Sequence, residues 1–328
     1  MKRIYVTGGN GFLGKAVVRA LASHADVAQV VSMDLQPTAP AARLAKVIYL
    51  EGDVRDAPFA EQFAAHAIDT VVHLAAVIPT GRQNPKMEYE IDVMGSQRVV
   101  DACIQARVGK IVVSSSGAAY GYHSDNPTWL TEDDPVRGND EFPYSRHKRL
   151  LEEMLARARS AHPELRQVVL RVCTILGEEV RNPITDLFDQ ERILAIKGSS
   201  SPFVMVWVDD VVNCMVRAAS TDLAGIFNVA GDGAISMQEI AAMLGKAVRE
   251  VPAWLVMARL WLDQRCGRGG GPATVNFLRY RPVLSNAKLK AEFGYVPALS
   301  SRAAFAKFIA LRYGITVGQS ASPYQQGD

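Results

Sequence analysis

Short apolar runs recur through the first half of the chain, each followed by a polar or glycine-rich break and then by apolar residues at helical spacing. Ile4, Tyr5 and Val6 form the first run, and Ala16, Val17, Val18, Ala20 and Leu21 follow as a helix. Val27, Val30 and Val31 begin a second strand that closes on Asp34. Residues 47–50, 70–76, 110–113 and 168–171 repeat the strand pattern. Helices are predicted from near Ala57, as one long element over 88–107, and from Pro143 to about Ser160. Strands alternating with helices predict an α/β fold, a doubly wound parallel sheet with right-handed crossovers.

Past residue 171 the rhythm changes to short elements at 182–189, 203–207, 209–220 and 226–229. A Ser236-x-x-Glu239 capping box opens a helix from Met237 to Leu244. Residues 253–265 form an apolar helix with Trp254, Met257 and Trp261 near one side. Packing against the core of a second domain is the expectation, with a membrane-surface or lipid-substrate contact as the alternative. A flexible loop at 267–272, helices near 286–293 and 301–313, and a disordered polar tail from 318 complete the pattern. The expected division is a dinucleotide-binding domain of 1–171 plus 204–229, a substrate domain of 172–203 plus 230–313, and a tail of 314–328.

The first strand runs into Thr7-Gly8-Gly9-Asn10-Gly11-Phe12-Leu13-Gly14. Gly8 permits a tight turn, Gly11 lets the backbone approach a pyrophosphate, and Gly14 lets helix and strand pack closely. The unpaired amides of the following helix supply the anion site. Asp34 stands about twenty residues further on, where a ribose-binding carboxylate is expected, and it favours NAD over NADP. Asp53 ends the third strand, placed to accept from an adenine amino group, to cap the helix near Ala57, or both. Ala75 and Ala76 offer small side chains against which a cofactor can lie, while His73 reads as a satisfied core histidine. Ser114, Ser115 and Ser116 place hydroxyls at the carboxyl edge of strand five, aimed into the cleft. Tyr144 and Lys148, four apart, share one helix face.

Charge and composition exclude several classes. Lys plus Arg number 36 and Asp plus Glu 34 in 328 residues, a net +2 that gives no footprint for nucleic acid. No apolar stretch is long enough to span a bilayer, and with a strand beginning at residue 4 no leader is expected. Cys103, Cys173, Cys214 and Cys266 are scattered, without ligand spacing, so reduced thiols in a cytoplasmic enzyme and no metal are expected. The acids between Glu132 and Glu141 read as a solvated loop at the mouth of a pocket.

With these motifs assembled, the chain resembles the extended short-chain dehydrogenase/reductase family, which includes UDP-galactose 4-epimerase, nucleotide-sugar dehydratases and 3β-hydroxysteroid dehydrogenases. The resemblance rests on Thr7-Gly8-x-x-Gly11-x-x-Gly14, Asp53-Val54, His73-Leu74-Ala75-Ala76, Ser114-Ser115-Ser116, Tyr144-x-x-x-Lys148, and Arg281-Pro282 before Phe293-Gly294-Tyr295. It implies a Rossmann-type sheet and a small-molecule substrate, either a sugar nucleotide or a steroid or lipid alcohol. It implies catalytic roles for Ser116, Tyr144 and Lys148, with Tyr144 as general acid/base. Lys148 would favour the phenolate and hold ribose hydroxyls. Phe12, Leu13, Val54, Leu74, Ser114 and Val172 join the glycines, Asp34, Asp53, Ala75 and Ala76 as implied NAD contacts. Ser116, Thr174 and Arg281 fall at implied substrate positions; Arg281 would hold a nucleotide diphosphate or form a domain-packing ion pair.

Departures narrow the reaction. The acids that dehydratases and decarboxylases of the family carry after the catalytic hydroxyl are Gly117 and Ala118 here. Simple dehydrogenation, or epimerisation through a transient ketone, remains. Asp92 replaces the family's Asn, and Thr174 replaces the Asn that follows strand six. A homodimer through the 88–107 and 144–160 helices is expected, and a dinucleotide-binding sensor without chemistry is the rival class.

Overall fold

The computed structural model describes residues 1–77, 84–265, 271 and 275–316. Most of the loop expected at 267–272, and the tail from 318, lie outside the described residues. The chain divides into two compact units: 1–116, 147–172 and 208–227 form the first, and 117–146, 173–207 and 228 onward the second. The strand and helix pattern leaves 117–146, 204–207 and 228–229 with the first domain and Val172 with the second, whereas the structure groups them the other way round.

In chain order the first unit opens with β1 (Lys2–Thr7), α1 (Phe12–Ser23), β2 (Val27–Asp34), β3 (Val47–Glu51), α2 (Phe59–Ala65) and β4 (Thr70–His73). It continues with α3 (Pro85–Tyr89), α4 (Ser96–Gln105), β5 (Lys110–Ser116), α5 (Pro143–Ala161) and β6 (Arg166–Val172). The remaining elements are β7 (Thr174–Leu176), α6 (Pro183–Asp189), β8 (Ile193–Ile196), β9 (Met205–Trp207), α7 (Val208–Ser220) and β10 (Gly225–Val229). They end with α8 (Met237–Leu244), β11 (Val248–Val251), α9 (Ala253–Arg265), α10 (Val275–Arg279), α11 (Ala287–Ala291) and α12 (Ser301–Tyr313).

A seven-stranded sheet in the order β10, β6, β5, β4, β1, β2, β3 carries the first unit. The chain moves outward from β1 to β3 and then returns to lay β4 on the other side of β1, parallel to it. That reversal sets a switch point between β1 and β4, outside whose carboxyl ends ligands of open sheets bind. Ile4, Tyr5 and Val6 are wholly buried because helices cover both faces, which is why the run is continuously apolar. Tyr5 packs edge-on to Phe63 at 4.9 Å between centroids, and its hydroxyl donates to Gln62 Oε1.

Pleating corrects the reading of the serine cluster. Neighbouring strand residues face opposite sides of a sheet, so Ser115 points away from its two neighbours. Its hydroxyl donates to Glu152 Oε1 at 2.5 Å. Arg171 Nη2 reaches Glu152 Oε2 at 2.7 Å, and its Nε donates to the same carboxylate at 3.0 Å. Both charged side chains are about 95 % buried. This network binds α5 to β5 and β6. The helix expected at 88–107 also differs: a π turn, Glu90–Gly95, joins α3 to α4. The apolar residues of α4 (Val99, Val100, Ala102 and Cys103) are buried in the unit's own core, which removes the argument that they offer a dimer face.

In the second unit β7 pairs with β9 and β8 with β11, both parallel. Phe188 packs edge-on to Phe203, Phe305 and Phe308. The capping box forms as expected, with Glu239 N donating to Ser236 Oγ at 3.1 Å and Ser236 N to Glu239 Oε2 at 2.8 Å. One expectation fails. Trp254, Leu255, Met257, Trp261 and Leu262 of α9 are 38–64 % exposed and do not pack into the core. A helix apolar nearly all round has no stripe from which to tell the inward side. The described residues contain no helix long and apolar enough to cross a membrane.

The ion pair at the base of α5 gives a direct test. Arg171→Ala strands the buried Glu152 carboxylate, and urea unfolding followed by circular dichroism should report a loss of about 3–5 kcal/mol. The double variant Glu152→Leu/Arg171→Leu should lose less than that single one; a larger loss would mean that packing, not charge, dominates there.

Candidate functional site

A cavity of about 660 Å³ opens in the first unit at the carboxyl ends of β1 to β4. Gly8 lies at its floor with φ +69°, a conformation that L side chains avoid, and a Cβ there would stand 2.8 Å from Ala75 N. A Cβ at Gly14 would stand 2.0 Å from the Gly8 carbonyl oxygen, so α1 packs against the turn only because Gly14 has none. Among the described residues no side chain caps α1, whose N-cap is Gly11, and its first turn carries no acid. Its leading amides are thus left without a side-chain partner there, which favours an anion.

Asp34, at the end of β2, lines the cavity and accepts from two backbone amides, Asn10 N at 2.9 Å and Gln36 N at 3.1 Å. Asn10 adds a clasp that the glycine spacing does not reveal. Its Nδ2 donates to Gln36 O at 2.5 Å, and Thr38 Oγ1 donates to its Oδ1 at 2.8 Å. One side chain of the glycine turn therefore fixes the segment after β2 that walls the cavity. Asp53, Val54, Leu74, Ala75 and Ala76 also line it. Asp53 does not cap a helix. Arg55, two residues on, clamps its carboxylate through Nε at 2.9 Å and Nη2 at 2.6 Å and holds it below the usual carboxylate range, while Pro58 precedes α2. Phe12, Leu13, Gly14, Ser114, Lys148 and Val172 stand outside the wall of this cavity.

Lys148 is buried on α5 and donates to the carbonyl of Ser114 at 2.9 Å. Ser116, its hydroxyl on the same side of the pleat as Ser114, ends β5. His73 is the satisfied core histidine expected, bonded through Nδ1 to Thr7 Oγ1 and through Nε2 to Ser96 Oγ. Burial, then the Lys148 charge, push its pKa down to about 3, so the ring stays neutral. Asp92, in the π turn, accepts from Val77 N at 2.8 Å and pairs with His147 Nδ1 at 2.9 Å, directly beside Lys148 in the chain.

Tyr144 stands one turn before Lys148 on α5 and belongs to the second unit. The start of α5 is held there by Ser145 Oγ, which donates to Ala118 O at 2.6 Å and accepts from Asn139 N. Tyr122, which sequence reasoning passes over, neighbours both Tyr144 and Arg281: burial chiefly raises its pKa, Tyr144 adds to the rise and the Arg281 charge opposes it. Phe142 and Phe277 flank the Tyr122 ring at 5.3 Å each. Only three-dimensional proximity reveals this aromatic setting.

Arg281 is 8 % exposed, with its guanidinium 4.0 Å above the Phe203 ring and its Nη1 donating to Ser201 O and Oγ. Among the described residues its Nε has no partner, and burial pushes its pKa down to about 9. Of the two readings of Arg281, the ion pair is not seen: among the described residues no carboxylate meets it, and its neighbours are aromatic rings and a serine. Thr174 opens β7, half-buried. A Cβ at Gly117 would press on Leu284 at 2.7 Å, so the first of the two acid positions has no room for a longer side chain unless Leu284 yields.

The model of the family described as "NAD dependent epimerase/dehydratase family" matches residues 4–230. An uncharacterized protein of Mycobacterium tuberculosis is 24 % identical over 313 residues, covering 93 % of this chain and 82 % of its own. UDP-glucose 4-epimerase of Azospirillum brasilense is 33 % identical over 180 residues, 54 % of this chain and 50 % of the relative. Among solved structures, Thermus thermophilus UDP-glucose 4-epimerase in complex with NAD is similar at a TM-score of 0.70 and 23 % identity, covering 95 % of this chain and 100 % of the other. Thermotoga maritima UDP-glucose 4-epimerase with UDP-glucose reaches 0.72 at 20 % identity, covering 95 % and 99 %. The uncapped start of α1, the glycine cradle that a Cβ would fill and the Asp34 carboxylate fit an NAD molecule.

Breaking the clasp should loosen that cradle without disturbing the core. Asn10→Ala is expected to weaken NAD binding about tenfold in calorimetry, and Thr38→Val to weaken it less. An unchanged affinity in both would mean that the segment after β2 needs no tether.

Proposed function

The chain belongs to the NAD dependent epimerase/dehydratase family, NAD is its cofactor, and we propose that it epimerises a secondary alcohol on a sugar nucleotide. When bound, NAD supplies the acceptor and donor of hydride. The glycine turn and α1 would hold its pyrophosphate and Asp34 its ribose hydroxyls. Tyr144 takes the proton of the substrate hydroxyl and returns it when the alcohol reforms. Lys148, fixed by the Ser114 carbonyl, brings a positive charge to the same helix one turn away. Ser116 donates to the substrate oxygen.

Arg281 carries the choice of substrate class. A guanidinium buried among rings without a carboxylate is costly in the free protein. A nucleotide diphosphate would neutralise it and take up its Nε, unpartnered among the described residues, with two negative charges in bidentate reach. A steroid or lipid alcohol has nothing to offer that charge. Similarity to UDP-glucose 4-epimerase supports the same reading. Gly117 and Ala118 hold no proton to give or take, which speaks against dehydration by the family's usual route.

Two variants separate this function from its rivals. Tyr144→Phe should lower kcat for UDP-glucose/UDP-galactose interconversion by about 10²–10⁴ while NAD still binds; full retention of output would mark a sensor. Arg281→Leu should raise KM for UDP-sugars by about ten- to a hundredfold. Release of NADH into solution at each turnover, seen by absorbance, would replace epimerisation with plain dehydrogenation.

A further inference from the structure

We propose that α9 is a peripheral membrane anchor, lying in the headgroup zone of a bilayer rich in anionic lipid. Trp254, Leu255, Met257, Trp261 and Leu262, between 38 and 64 % exposed, stand on one 13-residue helix. At about 100° per residue they fall within an arc of about 160°, while Val256, Leu260 and Asp263 on the opposite side are half-buried. Soluble surfaces rarely gather large apolar side chains into such a patch without covering them. The helix is too short to cross a bilayer: thirteen residues reach about 20 Å against a hydrocarbon core of about 30 Å. It can lie on one.

The chemistry of the face selects the occupant. Two tryptophans one heptad apart suit the boundary between headgroup and acyl chain, where amphipathic rings settle. Arg265 sits within the apolar arc, its guanidinium 4.1 Å above the Trp261 ring, so that a positive charge is held at the indole on the same side as the apolar residues. Arg259 flanks the arc and pairs with Asp263, its Nε 2.9 Å from Oδ2. Residues 246–265 contain four cations (Lys246, Arg249, Arg259 and Arg265) and two acids (Glu250 and Asp263), a net +2. The other residues hold 36 − 4 = 32 cations and 34 − 2 = 32 acids. On α9 itself Arg259 and Arg265 stand against Asp263, a net +1 beside the apolar face, which matches an anionic bilayer. A second copy of the chain is the competing occupant, which the test below separates from a bilayer. The proposal is independent of the reaction assigned above.

The test is co-sedimentation of the full chain with phosphatidylcholine vesicles and with vesicles containing about one third phosphatidylglycerol. The chain should bind the anionic vesicles at least about tenfold more tightly than the neutral ones, shift its tryptophan emission to the blue, and release at high salt. Trp254→Ser/Trp261→Ser should lose that binding at least about tenfold, with melting temperature and NAD affinity unchanged because both side chains face solvent. Failure to bind anionic vesicles, or equal binding by the double variant, overturns the proposal. So does a dimer in light scattering that the double variant dissolves, which would give the face to a second copy.

Discussion

The approach of α1 to the Gly8 carbonyl is the constraint from which the cavity at the carboxyl ends of β1 to β4 follows. With a Cβ at position 14 placed 2.0 Å from that oxygen, any other residue would push the helix off the end of β1. The leading amides of α1, which no side chain caps among the described residues, would then move away from the turn. The sheet order adds the rest, because β4 returns to the far side of β1 and leaves a crevice where the turn sits. Position and charge here are both properties of backbone, set by the absence of side chains.

Two buried arginines show how the chain treats charge in its two units. Arg171 meets Glu152 in a bonded pair that also satisfies Ser115, so a costly burial becomes a fixed anchor for α5. Arg281 has aromatic rings, a serine and no carboxylate among the described residues. Structural economy alone accounts for the first and not for the second. The diphosphate of the proposed substrate would supply the counter-charge that the second one lacks.

Much of this was legible in the residues. Period-two and period-3.6 patterns located the strands of the sheet and its flanking helices, and the Ser236–Glu239 spacing foretold a cap that forms bond for bond. Asp34 stands at the end of β2, where spacing placed it. What escaped detection was pairwise and long-range. Ser115 reads like its neighbours until the pleat turns it toward Glu152, 37 residues away. Asn10 is an unremarked residue among glycines, and its partners follow another strand. Strands of three or four residues, such as β7, β8 and β11, are too short to show a period. The direction of α9 was lost for the opposite reason, an apolar pattern without a polar side.

Asp92 shows why a departure from a family pattern has to be weighed with its partner. Taken alone, a carboxylate in place of an amide weakens the likeness to sugar-nucleotide enzymes, since it adds a charge where the pattern has none. The side chain is 6 % exposed, and a lone carboxylate there would be destabilising. It is not alone. His147, one residue before Lys148, supplies the opposite hydrogen-bonding group, and Val77 N–H satisfies the second oxygen. Both acceptor atoms are thus committed inside the first unit, tying the π turn to the helix that carries Lys148. The exchange therefore bears on how α5 is held and gives no ground against a sugar nucleotide, which leaves the substrate argument to the residues around Arg281.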